Sequence, residues 1–358
     1  MSDATAPTEG ELDRALGALQ GLAVGDALGM PFQLLRRDAV RERTGGVVDG
    51  FVEAEAEHPL AGGMPAGAIT DDTEQALLVA RLLIDGEGRI EAAALARALV
   101  AWEDDMRRRG STDLLGPSTT RAVQAVLRGE PLETAGRTGT TNGAAMRIAP
   151  VGIATPLSAD DAGADALLDA VEAASSVTHA TSLALAAASA VAAAVSAGVA
   201  GADLPAALAA GVDAAERCRD RGHWVAGADV AARIREAMAL VESLRAAEVP
   251  LGEAIDRLAL VVGTSLASQE SIPAAFAVLA LVDDPWLAVR AAASLGGDAD
   301  TIAAIAGAIA GAVHGTAPWA RGPAATVDAV SAARLGADSL GLPAIADALL
   351  ALRHRAAG

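Results

Sequence analysis

The sequence contains no lysine, no tyrosine and only one cysteine, Cys218, and aromatic residues make up 2% of its 358 positions. A single cysteine excludes an intramolecular disulfide framework and a cysteine-rich zinc site, and it is typical of a reducing compartment. So few aromatic rings also disfavour a surface that stacks nucleic-acid bases.

Basic charge is scarce as well: 27 arginines face 46 acidic residues, which gives a net charge of −19. Binding to nucleic acid or to an anionic membrane needs basic surface, so both are disfavoured. The stretch "MSDATAPTEG" lacks the basic and apolar regions of a signal peptide. We therefore expect a cytoplasmic protein that binds neither nucleic acid nor membrane.

Long linkers are also missing, and 52% of the residues are hydrophobic. We expect a loose terminus over residues 1–10 and one domain over residues 11–358. Residues 180–202 carry no charge and could span a bilayer by length. Because this stretch is mostly alanine and has no basic or aromatic flanks, it is predicted to be a buried helix of the core.

Alanine is abundant, and helical patterns dominate, which predicts an all-α fold packed through small side chains. Gly307 and Gly311, one helical turn apart, would let two backbones approach closely. The best strand candidate is the short stretch at 45–52. Helices are predicted at 11–28, 73–85, 91–109, 118–128, 164–177, 180–199, 203–217, 226–246, 251–263, 271–281, 285–294, 300–313, 324–334 and 342–355.

Two helices begin with clusters of oxygen-bearing side chains. The first starts with "TDDT" at 70–73, and the second with "DADT" at 298–301. Each alone could be an ordinary helix N-cap, and Asp71 with Glu74 has the spacing of a capping box. A cap needs one oxygen, however, and four converging carboxylates would repel each other unless cations bound them. Hard oxygen donors favour Mg²⁺ or Mn²⁺, and six such side chains suffice for two ions.

Three further segments carry polar residues next to helices. "GLAVGDALGMPFQ" (21–33) places Gly25 and Asp26 inside an apolar helix, which indicates a packing or ligand role. "TGTTNGAAMRIAP" (138–150) is a glycine-rich turn that opens a short helix. Its free N–H groups could hold phosphate, or it could be a plain Asn-Gly turn. His179, before the alanine helix, could be structural or functional.

Taken in order, "GDALGMP", "TDDT", "TNGAAMRIAP", "THATSLA" and "GGDADTIAAIAGAIAGA" resemble the motifs of the ADP-ribosylglycohydrolase family. The resemblance spans residues 17–315. It implies a compact orthogonal multi-helix bundle with a binuclear Mg²⁺ or Mn²⁺ centre, two divalent cations in a cleft. It also implies a substrate that is an ADP-ribosylated protein or a small ADP-ribosyl compound, and a monomer or weak homodimer.

The same resemblance assigns roles by position. Catalytic roles would fall to Asp71 or Asp300 as base, with Asp113 near the scissile bond. The implied metal ligands are Thr70, Asp71, Asp72, Asp298, Asp300 and Thr301. The implied substrate-binding residues are Gln33, Asn142, Gly143, Ala144, His179 and Gly297.

Two features depart from the family pattern. Gln33 stands where many relatives have glutamate, and an amide cannot act as a base. Tyrosine, on which relatives often stack the adenine, is absent; the possible substitutes are Phe32, Trp102, Trp224 and Trp319. Both departures leave open an N-glycosidase for a smaller ribosyl or nucleoside substrate. A binding protein that has lost catalysis is a third possibility, disfavoured because both acidic motifs are kept.

Overall fold

The computed structural model describes residues 7–110, 115–158 and 161–357. Within these ranges the chain forms eighteen α-helices and no strand, so the predicted all-α class is confirmed. Two isolated bridges, Thr141–Ala267 and Thr181–His223, link loops. In chain order the helices are α1 (Glu9–Gly29), α2 (Arg37–Thr44), α3 (Asp71–Asp85), α4 (Ala92–Arg108), α5 (Pro117–Leu127), α6 (Leu132–Ala135), α7 (Gly143–Met146), α8 (Ala149–Ala154), α9 (Asp161–Ser175), α10 (Ser182–Val199), α11 (Leu204–Arg217), α12 (Val230–Ala246), α13 (Leu251–Val261), α14 (Ser268–Leu281), α15 (Pro285–Ala293), α16 (Ala299–His314), α17 (Pro323–Leu335) and α18 (Leu342–Ala357).

Every helix predicted from the sequence is present, with ends shifted by a few residues. Helix α1 begins at Glu9, where Thr8 and Glu11 form a capping box, and residues 1–6 of the predicted loose terminus lie outside the described residues. The prediction missed α2, α6 and α8, whereas the short helix expected after the turn at 138–150 is present as α7. Helix α2 buries only Val40, so it has no apolar stripe to reveal it.

The strand predicted at 45–52 is wrong. Its backbone forms hydrogen bonds with side chains at the carboxyl end of α15 instead of with a neighbouring strand. The N–H of Val48 donates to Ser294 Oγ at 2.8 Å, and the carbonyl of Val48 accepts from Arg290 Nε at 2.6 Å. These bonds satisfy the segment in an irregular conformation.

Helices α1 and α16 pack antiparallel with their backbones in contact. Gly17, Gly21, Gly25 and Gly29, spaced one turn apart on α1, form what we call the glycine ladder. A Cβ at each position would lie within 3.0 Å of backbone atoms of α16 or of the Gly315 that follows it. Gly307 and Gly311 face the ladder from α16, which confirms the close approach predicted for them.

This packing fixes the register of the two helices. Gly25 faces Ala303 and Gly29 faces Ala299, so the carboxyl end of α1 lies beside the amino end of α16. Asp26 and the segment after α1 are thereby brought next to the acidic motif at 298–301.

Helix α10 lies in the centre of the main hydrophobic core, packed against α8, α11 and α16. It is the one helix among the described residues that is long and apolar enough to cross a membrane, and 94% of it is buried inside the protein. Its environment is therefore the protein core, as predicted for residues 180–202.

Candidate active site

A cleft of about 240 Å³ lies where the loops after α1 and before α7 meet the first turns of α3 and α16. It joins segments that are more than 200 residues apart in the sequence. Its polar lining consists of Gln33, Asp71, Asp72, Thr119, Thr141, Asn142, Asp298, Asp300 and Thr301. Its apolar lining includes Leu34, Leu60, Leu115, Pro117, Met146 and Leu266. The two acidic motifs thus converge, as the sequence predicted.

The first turn of α3 is held by its N-cap Thr70, whose hydroxyl accepts from the Asp72 N–H, and by Asp26 of α1. Asp26 is fully buried and accepts the backbone N–H groups of Thr70 and Thr73 at 3.0 and 3.1 Å. It also accepts both threonine hydroxyls, at 2.7 and 2.5 Å. Burial raises the pKa of Asp26 to about 6, against these hydrogen bonds, which lower it.

Because Asp26 meets these donors, Asp71 and Asp72 are not needed as caps. Asp71 Oδ2 accepts from the Gln75 amide at 2.8 Å, and Glu74 binds Trp102 and Arg109, so the alternative of an Asp71–Glu74 capping box is not formed. Both aspartates instead line the cleft.

The first turn of α16 contributes the other acidic side chains. Asp298 is the N-cap residue by position but makes no side-chain capping bond. Its Oδ2 accepts from Asn142 Nδ2 at 2.5 Å, which ties α16 to the start of α7. Asp300 and Thr301 also line the cleft, and Thr301 Oγ1 lies 3.3 Å from Asp72 Oδ2.

The carboxylates influence one another strongly. Burial raises the pKa of Asp72 well above its usual value, and the neighbouring charges of Asp300 and Asp71 raise it further. Burial also raises the pKa of Asp298 to about 6, although the Asn142 hydrogen bond lowers it. The Oδ1 atom of Asp72 is buried without a hydrogen-bond partner. Neighbouring buried carboxylates of this kind are stabilised when they bind either protons or cations.

Although four carboxylates line the cleft, no three His, Cys, Asp or Glu side chains among the described residues lie close enough together to form a ready-made metal cluster. Cations would therefore have to draw the carboxylates closer or use hydroxyl and water oxygens as well. Thr70, one of the predicted ligands, is buried behind the cleft, and its hydroxyl donates to Asp26.

Gln33 lies in a constrained turn at one side of the cleft. Leu34 has φ 60°, a left-handed conformation that costs energy for a branched side chain. Two backbone hydrogen bonds with Gly297 hold the turn, from Leu34 N–H at 2.6 Å and to the Leu35 carbonyl at 2.7 Å. Gly297 therefore supports the turn and does not line the cleft itself, and the Gln33 amide nitrogen is buried without a partner.

The predicted phosphate loop divides into lining and supporting residues. Asn142 and Gly143 line the cleft, whereas Ala144 is buried below them. His179 is fully buried and packs under Gly143, where an added Cβ would lie 3.0 Å from the imidazole Cε1. Direct contact between His179 and a substrate, as predicted, does not fit this position.

The remaining predicted site residues are not among the described residues that line the cleft. Asp113 lies outside the described residues. Of the proposed aromatic substitutes, Phe32, Trp102 and Trp319 are buried and Trp224 is 81% exposed, and none lines the cleft. The described lining offers leucine, proline and methionine instead.

Sequence reasoning gave no definite role to Arg147. It is fully buried, and it donates to Gln75 Oε1 at 2.8 Å and to Thr178 Oγ1 at 2.7 Å. It therefore neither lines the cleft nor forms a hydrogen bond with an acid. Thr141, which lines the cleft beside Asn142, was also missed.

The geometry agrees with comparisons to known proteins. The profile of the ADP-ribosylglycohydrolase family matches residues 7–357. The chain therefore belongs to the ADP-ribosylglycohydrolase family and is a glycoside hydrolase by class. It is also similar to a solved structure titled ADP-ribosylglycohydrolase-related protein complex, with a TM-score of 0.65 and 26% identity over 96% of this chain and 99% of that one.

Among curated proteins, the uncharacterized protein YegU of Escherichia coli (strain K12) is 35% identical over 85% of this chain and 88% of its own. ADP-ribosylarginine hydrolase Tri1 of Pseudomonas putida (strain GB-1) is 35% identical over 42% of this chain and 38% of its own. ADP-ribosyl-[dinitrogen reductase] glycohydrolase of Rhodospirillum rubrum is 31% identical over 40% of this chain and 45% of its own.

Proposed function

We propose that this enzyme hydrolyses the glycosidic bond of an ADP-ribosyl group, on a protein or a small molecule, with the help of two divalent cations. The observation that carries the proposal is the convergence of Asp71, Asp72, Asp298 and Asp300 in one cleft. The names of the relatives Tri1 and the Rhodospirillum rubrum enzyme support the substrate class.

The donor set suits Mg²⁺ or Mn²⁺. The polar lining of the cleft offers oxygen atoms and no imidazole or thiolate among the described residues. Asp72 Oδ1 is a buried acceptor without a partner, and burial together with the charges of Asp300 and Asp71 disfavours the ionised form of this carboxyl group. We propose that two cations are held by Asp71, Asp72, Asp298, Asp300 and Thr301, and that Thr70, which does not line the cleft, supports Asp72 from behind.

In the proposed reaction, water attacks the anomeric carbon, the bond to the leaving nitrogen or oxygen breaks, and the leaving group gains a proton. Bound cations would orient the ribose hydroxyls and raise the acidity of a nearby water. Asp71 or Asp300 takes the proton from that water. The remaining carboxylates stabilise the positive charge of an oxocarbenium-like transition state, while Asn142 and Gly143 hold the diphosphate.

A second candidate is an N-glycosidase for a smaller ribosyl or nucleoside substrate. Gln33 lines the cleft with a neutral amide, and no aromatic ring lies among the described lining residues to stack an adenine. A smaller substrate needs neither an acid at position 33 nor an aromatic ring that stacks an adenine.

The test is hydrolysis of a panel with Mn²⁺ or Mg²⁺, and again with chelator. The panel contains ADP-ribosyl-arginine protein, ADP-ribosyl-serine peptide, O-acetyl-ADP-ribose and simple N-ribosides. Asp300→Asn removes a charge from the cleft, and Asp338→Asn makes the same change at an exposed position outside it.

Release of ADP-ribose that requires metal and Asp300, but not Asp338, supports the first proposal and identifies the linkage. Cleavage of the N-ribosides alone supports the second candidate. An absence of turnover with every substrate, although metal is bound, contradicts both and favours a non-catalytic binding protein.

A further inference from the structure

A chain of polar side chains runs beneath the cleft from Arg147 to Thr141. Arg147 Nη2 donates to Thr178 Oγ1 at 2.7 Å, and Thr178 Oγ1 lies 2.8 Å from His179 Nδ1. The other ring nitrogen, His179 Nε2, lies 3.0 Å from Thr141 Oγ1. Arg147, Thr178 and His179 are all fully buried, and Thr141 alone reaches the cleft.

The arginine sets the direction of these hydrogen bonds, because a guanidinium can only donate. Thr178 Oγ1 accepts from Arg147 and has one proton to give. The nearer acceptor is His179 Nδ1 at 2.8 Å, since the carbonyl of Ser175 lies at 3.3 Å. The neutral ring then carries its proton on Nε2 and donates it to Thr141 Oγ1.

The charges around the ring favour this neutral form. Burial lowers the pKa of His179 well below its usual value, and Arg147 and Arg121 lower it further. Burial lowers the pKa of Arg147 only to about 10, so the guanidinium stays charged at neutral pH.

From these contacts we infer that Arg147, acting through Thr178 and His179, holds the Thr141 hydroxyl as a hydrogen-bond donor to an acceptor oxygen of the ligand. This inference rests on the proposed function, in which that acceptor is a phosphate oxygen of the ADP-ribosyl group. Thr141 is a substrate-binding residue, and the other three are positioning residues.

The opposite tautomer would reverse the chemistry at the cleft. With the proton on Nδ1, Nε2 would accept the Thr141 hydroxyl proton, and Thr141 would present only lone pairs. A phosphate oxygen would then face an acceptor and be repelled. The ring tautomer therefore decides which kind of ligand atom Thr141 can bind.

The guanidinium of Arg147 is also connected to a carboxylate of the cleft, Asp71, through the side chain of Gln75. Arg147 donates to Gln75 Oε1 at 2.8 Å, and Gln75 Nε2 donates to Asp71 Oδ2 at 2.8 Å. One buried charge thus orients both Asp71 and Thr141, which both line the cleft. Burying a cation costs stability unless its partners compensate.

The first experiment reads the tautomer without any substrate. Long-range ¹H–¹⁵N correlation spectra resolve the rings of the five histidines, and loss of one signal set in His179→Gln assigns His179. We expect the Nε2–H form, unchanged between pH 6 and 8. A proton on Nδ1, or an imidazolium in that range, overturns the inference.

The second experiment measures ADP-ribose affinity by calorimetry in Thr141→Val and Thr141→Ser. Valine keeps the shape of threonine without the hydroxyl, and serine keeps the hydroxyl. We expect affinity to fall on the order of tenfold with valine and less than about twofold with serine. Equal affinity of both variants overturns the donor role.

The two experiments separate this inference from the proposed function. If the wild type does not bind ADP-ribose at all, the proposed function fails, and the ring tautomer still tests the proton arrangement. If the wild type binds and turns over substrate but the ring carries its proton on Nδ1, the function stands and this inference fails.

Discussion

Replacing Gly25 by alanine tests whether the glycine ladder sets the distance between α1 and α16. An added Cβ would lie well within 3.0 Å of the Ala303 backbone oxygen and 2.8 Å from the Ala304 nitrogen. Both neighbours are helix backbone, so no side chain can rotate away. The helices would have to separate by about 1 Å, which we expect to cost roughly 3 kcal/mol or more in unfolding free energy.

Alanine also favours the helix over glycine by about 1 kcal/mol, which opposes this loss. The net destabilisation is therefore expected to be about 2 kcal/mol, and the midpoint of thermal unfolding should fall by roughly 3 °C. Because Gly25 precedes Asp26, the displacement should also disturb the first turn of α3 and lower turnover.

Gly252→Ala is the matched control, since a Cβ at this helical glycine of α13 would have no atom within 4 Å. We expect it to raise stability by up to about 1 kcal/mol and to leave turnover unchanged. Calorimetry and a turnover assay give both readouts. An unchanged melting temperature and activity in Gly25→Ala, or an equal loss in the control, would refute the reasoning.

Three further predictions concern single side chains. Asp26→Ala removes the acceptor of four donors of Thr70 and Thr73, of which only the Thr70 hydroxyl has another acceptor nearby, Asp72 Oδ2 at 3.3 Å. Urea unfolding should therefore show a loss of about 3 kcal/mol, and a loss below about 1 kcal/mol would contradict the role of Asp26. Burial raises the pKa of the Cys218 thiol, so a thiol reagent should label it at pH 8 only in denaturant; labelling of the folded protein would be the contrary result. Because the pKa of His179 is lowered in the folded state, the imidazole takes up a proton below about pH 6.5 in the unfolded state and not in the folded state. The contribution of neutral His179 to stability is therefore present above that pH and is lost as the pH falls. His179→Gln should therefore show a shallower stability loss than wild type between pH 7 and 5.5, and parallel profiles would count against this.

The sequence predicts much of the fold because alanine-rich apolar periodicity marks helices that are buried on one side or all round. Helix α10 is such a case, since its side chains are almost all apolar and buried. Helix α2 escapes the same reasoning because tertiary contacts, including the bond from Arg37 to Asp256 at 2.8 Å, hold a mostly charged segment in place. Those contacts join residues that are 219 positions apart.

The candidate site was also predicted in part from the sequence. Acidic residues at helix starts predict the convergence of the two motifs, because more carboxylates are present than capping requires. The support around them is not visible in the sequence. Leu34 in a left-handed conformation and the buried position of His179 depend on how the loops pack. Asp26 was indicated only as an unusual residue inside an apolar helix.

The role of Asp26 explains how a helix start can carry so many carboxylates. The glycine ladder brings α1 close to α16, and Asp26, next to Gly25, meets the first turn of α3. Since Asp26 and Thr70 accept the capping hydrogen bonds, Asp71 and Asp72 can line the cleft. The raised pKa values of Asp72 and Asp298 show that this arrangement is unfavourable when the carboxylates are ionised. Cation binding would offset that cost. The packing that destabilises the ionised carboxylates therefore also creates affinity for a divalent ion.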